Sequence, residues 1–455
     1  MSRKSTTEQM KKYIEKFFVL YIFIQPILDI SVYFGLPISN IVRVGALFIG
    51  FIYFFCYPNK RIKLLSIVYF VVLGLFMLIH FINNYQIKNP YFFIEELTYG
   101  VKSVYVVAIL VIYAAVFHSI KKEPEWELMV QRYITFNMIV IGIIMLIASL
   151  TGTGKDSYDM LVKEGHSGWF FSANELSAIL AMGFGIMLIY VFNIKNLRKK
   201  LTLTPFVILV SWSMLTIGTK VGLLSLFALA ILGLILSLFD WLVKKQQIYN
   251  AIFFTIIIVV SAVLVPYSPV GNNLNITFLE NEQQQPTEQK TASSNGNIEN
   301  VSESSKATQS KSFIKKALSG RDFFFRMTLE DYKEASLSQK LFGMGPGGNY
   351  EKRLIIIEMD FFDWFFSYGI VGFIILFAPI LVFGITIVKK LLLKKLKQVN
   401  YTWIMVAYEI ALAVGISMFA GHIFLNPASG IYFAILYSYL FNLTLSKIHG
   451  VQSTI

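Results

Sequence analysis

Apolar residues come in long uninterrupted runs, and the length of those runs limits what the chain can be. Twelve of them lie at about 17–36, 38–57, 63–82, 100–119, 133–150, 172–194, 203–218, 221–243, 249–267, 361–388, 402–421 and 424–446. Most are close to the ~20 residues a helix needs to cross a hydrocarbon core of roughly 30 Å. Short polar connections separate them. The pattern predicts an all-α protein, a polytopic membrane helix bundle of about 12 transmembrane helices. One connection is long, and it predicts a large extracellular loop between helices 9 and 10. The chain then divides into 1–267 (helices 1–9), 268–360 (the loop) and 361–455 (helices 10–12). The first run follows a basic start but contains Gln25, Pro26 and Asp29, and no small-residue cleavage site follows it. It reads as a retained anchor, not a cleaved leader.

The loop has two compositions. Residues 280–312 are mostly Gln, Ser, Asn, Glu, Thr and Lys without an aromatic side chain, so they predict a disordered spacer. Residues 313–360 predict an ordered, helical part. Apolar positions recur at helical spacing over 323–336, Gly343–Gly348 is a turn cluster with a proline, and 354–366 is apolar with acids set into it.

Composition agrees with the runs. Hydrophobic residues are 56% and charged residues 15%, with mean hydropathy +0.62, against about 25% charge in soluble domains. A soluble enzyme, a secreted disulfide scaffold and a DNA-binding domain are excluded on that basis. The net charge of +13 is a topology signal. With the N-terminus inside, the cytoplasmic segments hold 23 of the 40 Lys and Arg, whereas 268–360 holds eleven bases and twelve acids. This is the positive-inside pattern, and it predicts both termini on the cytoplasmic side of the cytoplasmic membrane. The basic charge faces membrane lipids, and no nucleic acid partner is implied.

Charged groups in or beside membrane spans are rare and costly, so they are candidates for function. At the outer ends stand Arg43, Lys102, Lys220, Arg321, Arg326, Glu95, Glu96, Glu358, Asp360 and Asp363; Asp29 and Glu409 lie deeper. Plainer readings exist for each. Arg43 could snorkel to water, Asp29 and Glu409 could partner a buried cation or hydroxyl, and the acids at 358–363 could simply suit a helix N-terminus. Lys220 ends Thr216-Ile-Gly-Thr-Lys220, a turn too short to leave the membrane surface, where a lysine runs against the positive-inside bias. His166 and His422 (in Gly421-His422-Ile-Phe-Leu-Asn426-Pro) also face outward, but no spacing of His with acids supports a metal site. Cys56 is the single cysteine. Gly343–Gly348 lacks the Lys-Ser/Thr of a phosphate loop.

Five pieces occur in order over roughly 165–375: Ser167-Gly168-Trp-Phe170 with Asn174 entering a span, Gly218-Thr-Lys220, Ser319-Gly-Arg321, Leu341-Phe-Gly-Met-Gly345, and an acid-rich segment ending in Tyr368-Gly369-Ile-Val-Gly372. Together with twelve spans, this arrangement resembles the O-antigen ligase and Wzy-type polymerase superfamily of integral-membrane glycosyltransferases. Its ligases commonly place a His about eleven residues before the glycine that matches Gly369; Glu358 stands there in this chain. The resemblance implies a glycan donor on undecaprenyl pyrophosphate, presented at the outer leaflet, a glycan acceptor, and no cofactor. A departing pyrophosphate needs cations, for which Arg43, Lys220 and Arg321 are the candidates. An acceptor hydroxyl needs a base or an orienting carboxylate; Glu358 is the candidate, with Asp360 and Asp363 as sugar or cation contacts. The resemblance covers both polymerases and ligases; the Lys-, Ile- and Phe-rich composition, read as that of a Gram-positive source without lipopolysaccharide, favours a polymerase. The alternative is a transporter or flippase of lipid-linked oligosaccharide, which Asp29 and Glu409 would suit. The outer-edge charges outnumber the deep ones and favour the transferase.

Overall fold

The computed structural model describes residues 3–158, 162–244, 248–276, 321–349, 356–397 and 399–446. The chain forms α1 (Arg3–Phe23), α2 (Gln25–Tyr33), α3 (Ile38–Cys56), α4 (Lys60–Ile87), α5 (Phe93–Ile120), α6 (Trp126–Thr151), α7 (Ala173–Asn193), α8 (Leu197–Thr216), α9 (Lys220–Lys244) and α10 (Tyr249–Leu264). After the long connection come α11 (Arg321–Glu334), α12 (Leu337–Phe342), α13 (Asp360–Leu393), α14 (Tyr401–Phe419) and α15 (Pro427–Leu445). The spacer expected at 280–312 lies outside the described residues, whereas the helix expected over 323–336 is α11.

Ten of these helices are long and apolar enough to cross a membrane, and the bent pair α1–α2 makes an eleventh. The bend is 54°. Pro26, near the start of α2, has no N–H to give the preceding turn. The Ile22 carbonyl that this leaves free accepts from the Asn137 side chain at 2.7 Å, and the Gln25 side chain donates to the Tyr21 carbonyl at 2.7 Å. The run expected at 203–218 is helical as α8 and carries the chain back to the loop end; it is less apolar than the other eleven because Arg198, Lys199 and Lys200 open it. The expected connection at 83–99 shrinks to 88–92, because α5 begins at Phe93 and carries Glu95 and Glu96 in its first turn, where acids suit the helix dipole.

α7, α15 and α5 form the centre, with 89, 83 and 72% of their apolar windows buried; α4, α10 and α13, at 22–28%, turn most of theirs outward. Away from water, every interior polar group needs a partner within the bundle. Asn442 of α15 donates to the Ala114 carbonyl of α5, and Ser438 to Leu110, at 3.1 and 3.0 Å. Asn137 of α6 reaches the Ile22 carbonyl and the Tyr432 hydroxyl. These bonds fix the register of helices whose apolar faces alone would slide.

The loop region is anchored where α13 breaks. Gly369 has φ 64° and ψ −173°, a conformation essentially reserved for glycine. The break frees the carbonyls of Phe366 and Ser367, which accept from the N–H groups of Met344 and Gly345 at 3.1 and 2.9 Å. A Cβ on Gly369 would sit 2.6 Å from the Gly343 nitrogen. Two of the glycine motifs seen in the sequence are therefore one interlocked joint. Gly369→Ala is expected to destabilise the protein by at least about 2 kcal/mol, from strain and overlap together. It should also expose 335–349 to protease; an unchanged melting midpoint and cleavage pattern would refute the joint.

Candidate active site at the loop end of the bundle

The connections 34–37, 88–92, 152–158 with 162–172, 217–219, 265–276, 335–349 with 356–359, and 420–426 gather at one end, the loop end. Tyr33 donates to the Thr153 carbonyl, Phe34 meets Trp169, Asn273 donates to the carbonyls of Glu164 and Gly218, and Gly421 packs on Glu358. A cavity of about 540 Å³ opens here between α2, α3, α5, α7 and the start of α15. Its polar wall is Asp29, Asn40, Arg43, Lys102, Tyr105, Ser172, Glu175 and Asn426; its apolar wall includes Leu47, Leu97, Val101, Leu176 and Ile179.

Arg43 is the centre of that wall. It is 7% exposed, and its Nη2 donates to Asp29 Oδ1 at 2.5 Å. Among the described residues its Nε has no hydrogen-bond partner, and neither has Asp29 Oδ2. A buried guanidinium with an idle donor is costly unless something else receives that donor. Two helix N-termini also converge on the cavity. Ser172, the N-cap of α7, makes no side-chain cap, so first-turn N–H groups of α7 stay available. Asn426 caps α15 by accepting from Ala428 N–H at 3.2 Å. Converging N–H ends, an arginine and a lysine suit an oxyanion ligand such as a phosphate. The apolar wall suits a hydrocarbon attached to it.

Lys220 lies apart from this cavity. It is exposed at the first position of α9, beside a small depression with Tyr158, Lys163 and Asn273. The turn before it is locked to the 164–168 segment. Asn273 clamps Glu164 and Gly218, the Ser157 and Tyr158 hydroxyls donate to the Ile217 and Gly218 carbonyls, and Thr219 bonds Ser177 at 2.6 Å. A Cβ on Gly165 or Gly218 would overlap the facing carbonyl, at 2.4 and 2.3 Å, so both glycines are required by close backbone approach. The Ser167-Gly168 and Gly218-Thr-Lys220 motifs thus form a second joint. Burial lowers the pKa of the His166 imidazole, and its Nδ1 accepts from Gly168 N–H at 3.1 Å.

Arg321 and Glu358 meet each other. Arg321 Nη2 donates to Glu358 Oε2 at 3.0 Å, with the glutamate side chain half exposed. Glu358 precedes the helix, in a loop, at φ 62°. Asp360 and Asp363 face inward. Asp360 accepts from the N–H groups of His422, Ile423 and Phe424 and from Ser417 Oγ, all within 3.0 Å. Asp363 accepts from Ile357 and Met359 N–H at 2.9 Å each. Their oxygens tie down the loops on both sides of Glu358. The 420–426 loop held by Asp360 runs on to Asn426, Pro427 and Ala428 in the cavity wall. The fold thus links Glu358 and Arg321 to the Arg43 cavity through one short clamped loop, while Lys220 stands on a separate joint.

Sequence reasoning selected Arg43, noted Lys102 as an outer-end charge and Asn426 beside His422 without giving either a role, and passed over Glu175. An acid or lysine in the first turns of an apolar run was the available signal. It also missed the clamp beneath the Gly343–Gly348 turn, where Lys88 bonds Glu96 at 2.6 Å and His80 and Asn84 hold the carbonyls of Phe342 and Gly343. Of the two deep acids, Asp29 has its cation in Arg43, and Glu409 packs against the backbone of Gly185.

Long apolar helices around a cavity lined by charged and apolar side chains define a multi-pass membrane protein. The family described as O-antigen ligase like membrane protein matches residues 11–446. The chain belongs to that family, and its role is in glycan assembly, as a glycan-transferring membrane enzyme acting on lipid-linked glycans. No curated protein sequence gave a match.

Proposed function

We propose that the protein transfers glycan from undecaprenyl diphosphate to a glycan hydroxyl at the outer face of the cytoplasmic membrane, with the loop end outward and both termini inside. The observation that carries this reading is buried Arg43, with its idle Nε, in a chamber that is polar on one side and apolar on the other. The diphosphate lies at Arg43 and Lys102, before the N-termini of α7 and α15, and the first isoprenoid units lie along Leu47, Val101 and Ile179. Lys220 serves as a further cation at the surface, met by the donor's headgroup on entry. Glu358, steadied by Arg321, accepts a hydrogen bond from the acceptor hydroxyl.

In the reaction the hydroxyl oxygen attacks the anomeric carbon. The bond from that carbon to the diphosphate oxygen breaks, the electron pair leaves with the diphosphate, and the hydroxyl proton departs on the Glu358 side. Arg43 stabilises the charge gathering on the leaving group, an interaction stronger in the transition state than in the ground state. Deep acids were the main support for a transporter, and Asp29 no longer supplies it, because Arg43 neutralises it.

The test uses purified protein in liposomes with a synthetic polyprenyl-diphosphate glycan and a glycan acceptor. Elongated glycan with one polyprenyl diphosphate released per transfer is expected. Movement of intact donor across the bilayer without cleavage would instead make the protein a transporter.

A further inference from the structure

His422 belongs to the 420–426 loop that Asp360 holds beside Glu358. Four non-glycine residues among those described have positive φ: Glu358, Lys395, Leu396 and His422. Lys395 and Leu396 sit at the opposite end of the bundle. Glu358 (φ 62°) and the residue before His422 (φ 70°) are in contact: Gly421, at φ 65°, packs its Cα side against Glu358, and a Cβ there would be 2.5 Å from the Glu358 carbonyl oxygen. Left-handed backbone at a non-glycine residue costs of order 1–3 kcal/mol and persists only where the surroundings impose it, most often at functional sites. Here the surroundings are explicit. Asp360 takes the main-chain N–H groups of residues 422, 423 and 424, and Ser429 Oγ donates to the His422 carbonyl.

The ring is fixed as well. His422 Nδ1 lies 2.9 Å from the Ala420 carbonyl oxygen. A carbonyl only accepts, so Nδ1 carries the hydrogen, and Nε2 is left with a lone pair. Glu358 already has one oxygen engaged, since its Oε2 accepts from the Arg321 guanidinium at 3.0 Å. A carboxylate held by a guanidinium is well placed to orient a hydroxyl. The loop bearing His422 ends in the cavity wall at Asn426.

We infer that His422 Nε2 is the general base of the transfer, taking the acceptor's hydroxyl proton while Glu358 orients that hydroxyl. This rests on the transferase reading. The O–H bond breaks as the new glycosidic C–O bond forms, the proton goes to Nε2, and the imidazolium returns it to water after the diphosphate lipid has left.

The test compares wild type with His422→Gly and His422→Asn in the liposome assay. Glycine accepts φ 70° freely and asparagine tolerates it, and the bonds to Asp360 come from the main chain, so both variants should insert and melt like wild type. Transfer should fall about 100-fold or more in each, within the usual range for a lost general base, with the acceptor KM little changed. Added imidazole should restore His422→Gly, and a more basic methylimidazole should restore it further. Near-wild-type turnover in His422→Asn, or a folded His422→Gly that imidazole cannot rescue, would overturn the assignment. An inactive wild-type protein would overturn the transferase reading beneath it.

Discussion

Arg43→Gln is expected to abolish glycan transfer and to destabilise the protein at the same time. The side chain has two jobs, and they can be separated. Its Nη2 neutralises buried Asp29, and removing one partner of a buried ion pair costs about 3–5 kcal/mol because the other charge is stranded. It is also the main cation proposed for the departing diphosphate, and loss of one such donor costs about 10²–10³ in turnover. The double variant Asp29→Asn/Arg43→Gln removes the stranded charge. It should recover most of the melting midpoint in detergent and none of the transfer. If the double variant transfers glycan normally, Arg43 serves packing alone and the diphosphate is held elsewhere.

Glu358→Gln is expected to lower transfer by about 100-fold, the lower end for loss of an acid–base or orienting group, while leaving the fold intact. The dissociation follows from exposure. The Glu358 side chain is half exposed, and such ion pairs are worth roughly 0–1 kcal/mol. Asp360→Asn makes the opposite comparison. Asp360 is 1% exposed and holds four donors, so an amide there points N–H at N–H. It should lower the melting midpoint clearly and cost activity only through the loop it holds. Normal glycan chains from a correctly inserted Glu358→Gln protein would remove the residue from the site.

Much of the architecture was readable because the bilayer imposes it. Run length located the helices, and Pro26 and the basic start of α8 account for the one run that bends and the one that is less apolar than the rest. The glycine motifs were visible, but what they do was not. Gly343 and Gly369 are 26 positions apart, and nothing local says that the backbone of one turn completes the broken helix of the other. The candidate residues divided in the same way. Arg43 stood out as a charge beside a span, but its partner Asp29 is on another helix and has no helical spacing to betray it. Asp360 and Asp363 read as outward-facing acids. The structure gives their oxygens to main-chain N–H groups, because the acids enter the helix just where two loops arrive with unpaired donors.

The sequence by itself determined that this is a helical membrane protein with a polar loop region between its ninth and tenth apolar runs, and that charge gathers at the ends of those runs. Hydropathy and charge act residue by residue against lipid and water, so a linear reading captures them. Only the tertiary structure decided that Arg43, Lys102, Glu175 and Asn426 share one chamber, that Lys220 does not, and that Gly421, next to His422, lies against Glu358. Those outcomes depend on helix rotation and loop docking, set by interlocking backbone joints and interior hydrogen bonds between residues far apart in the chain.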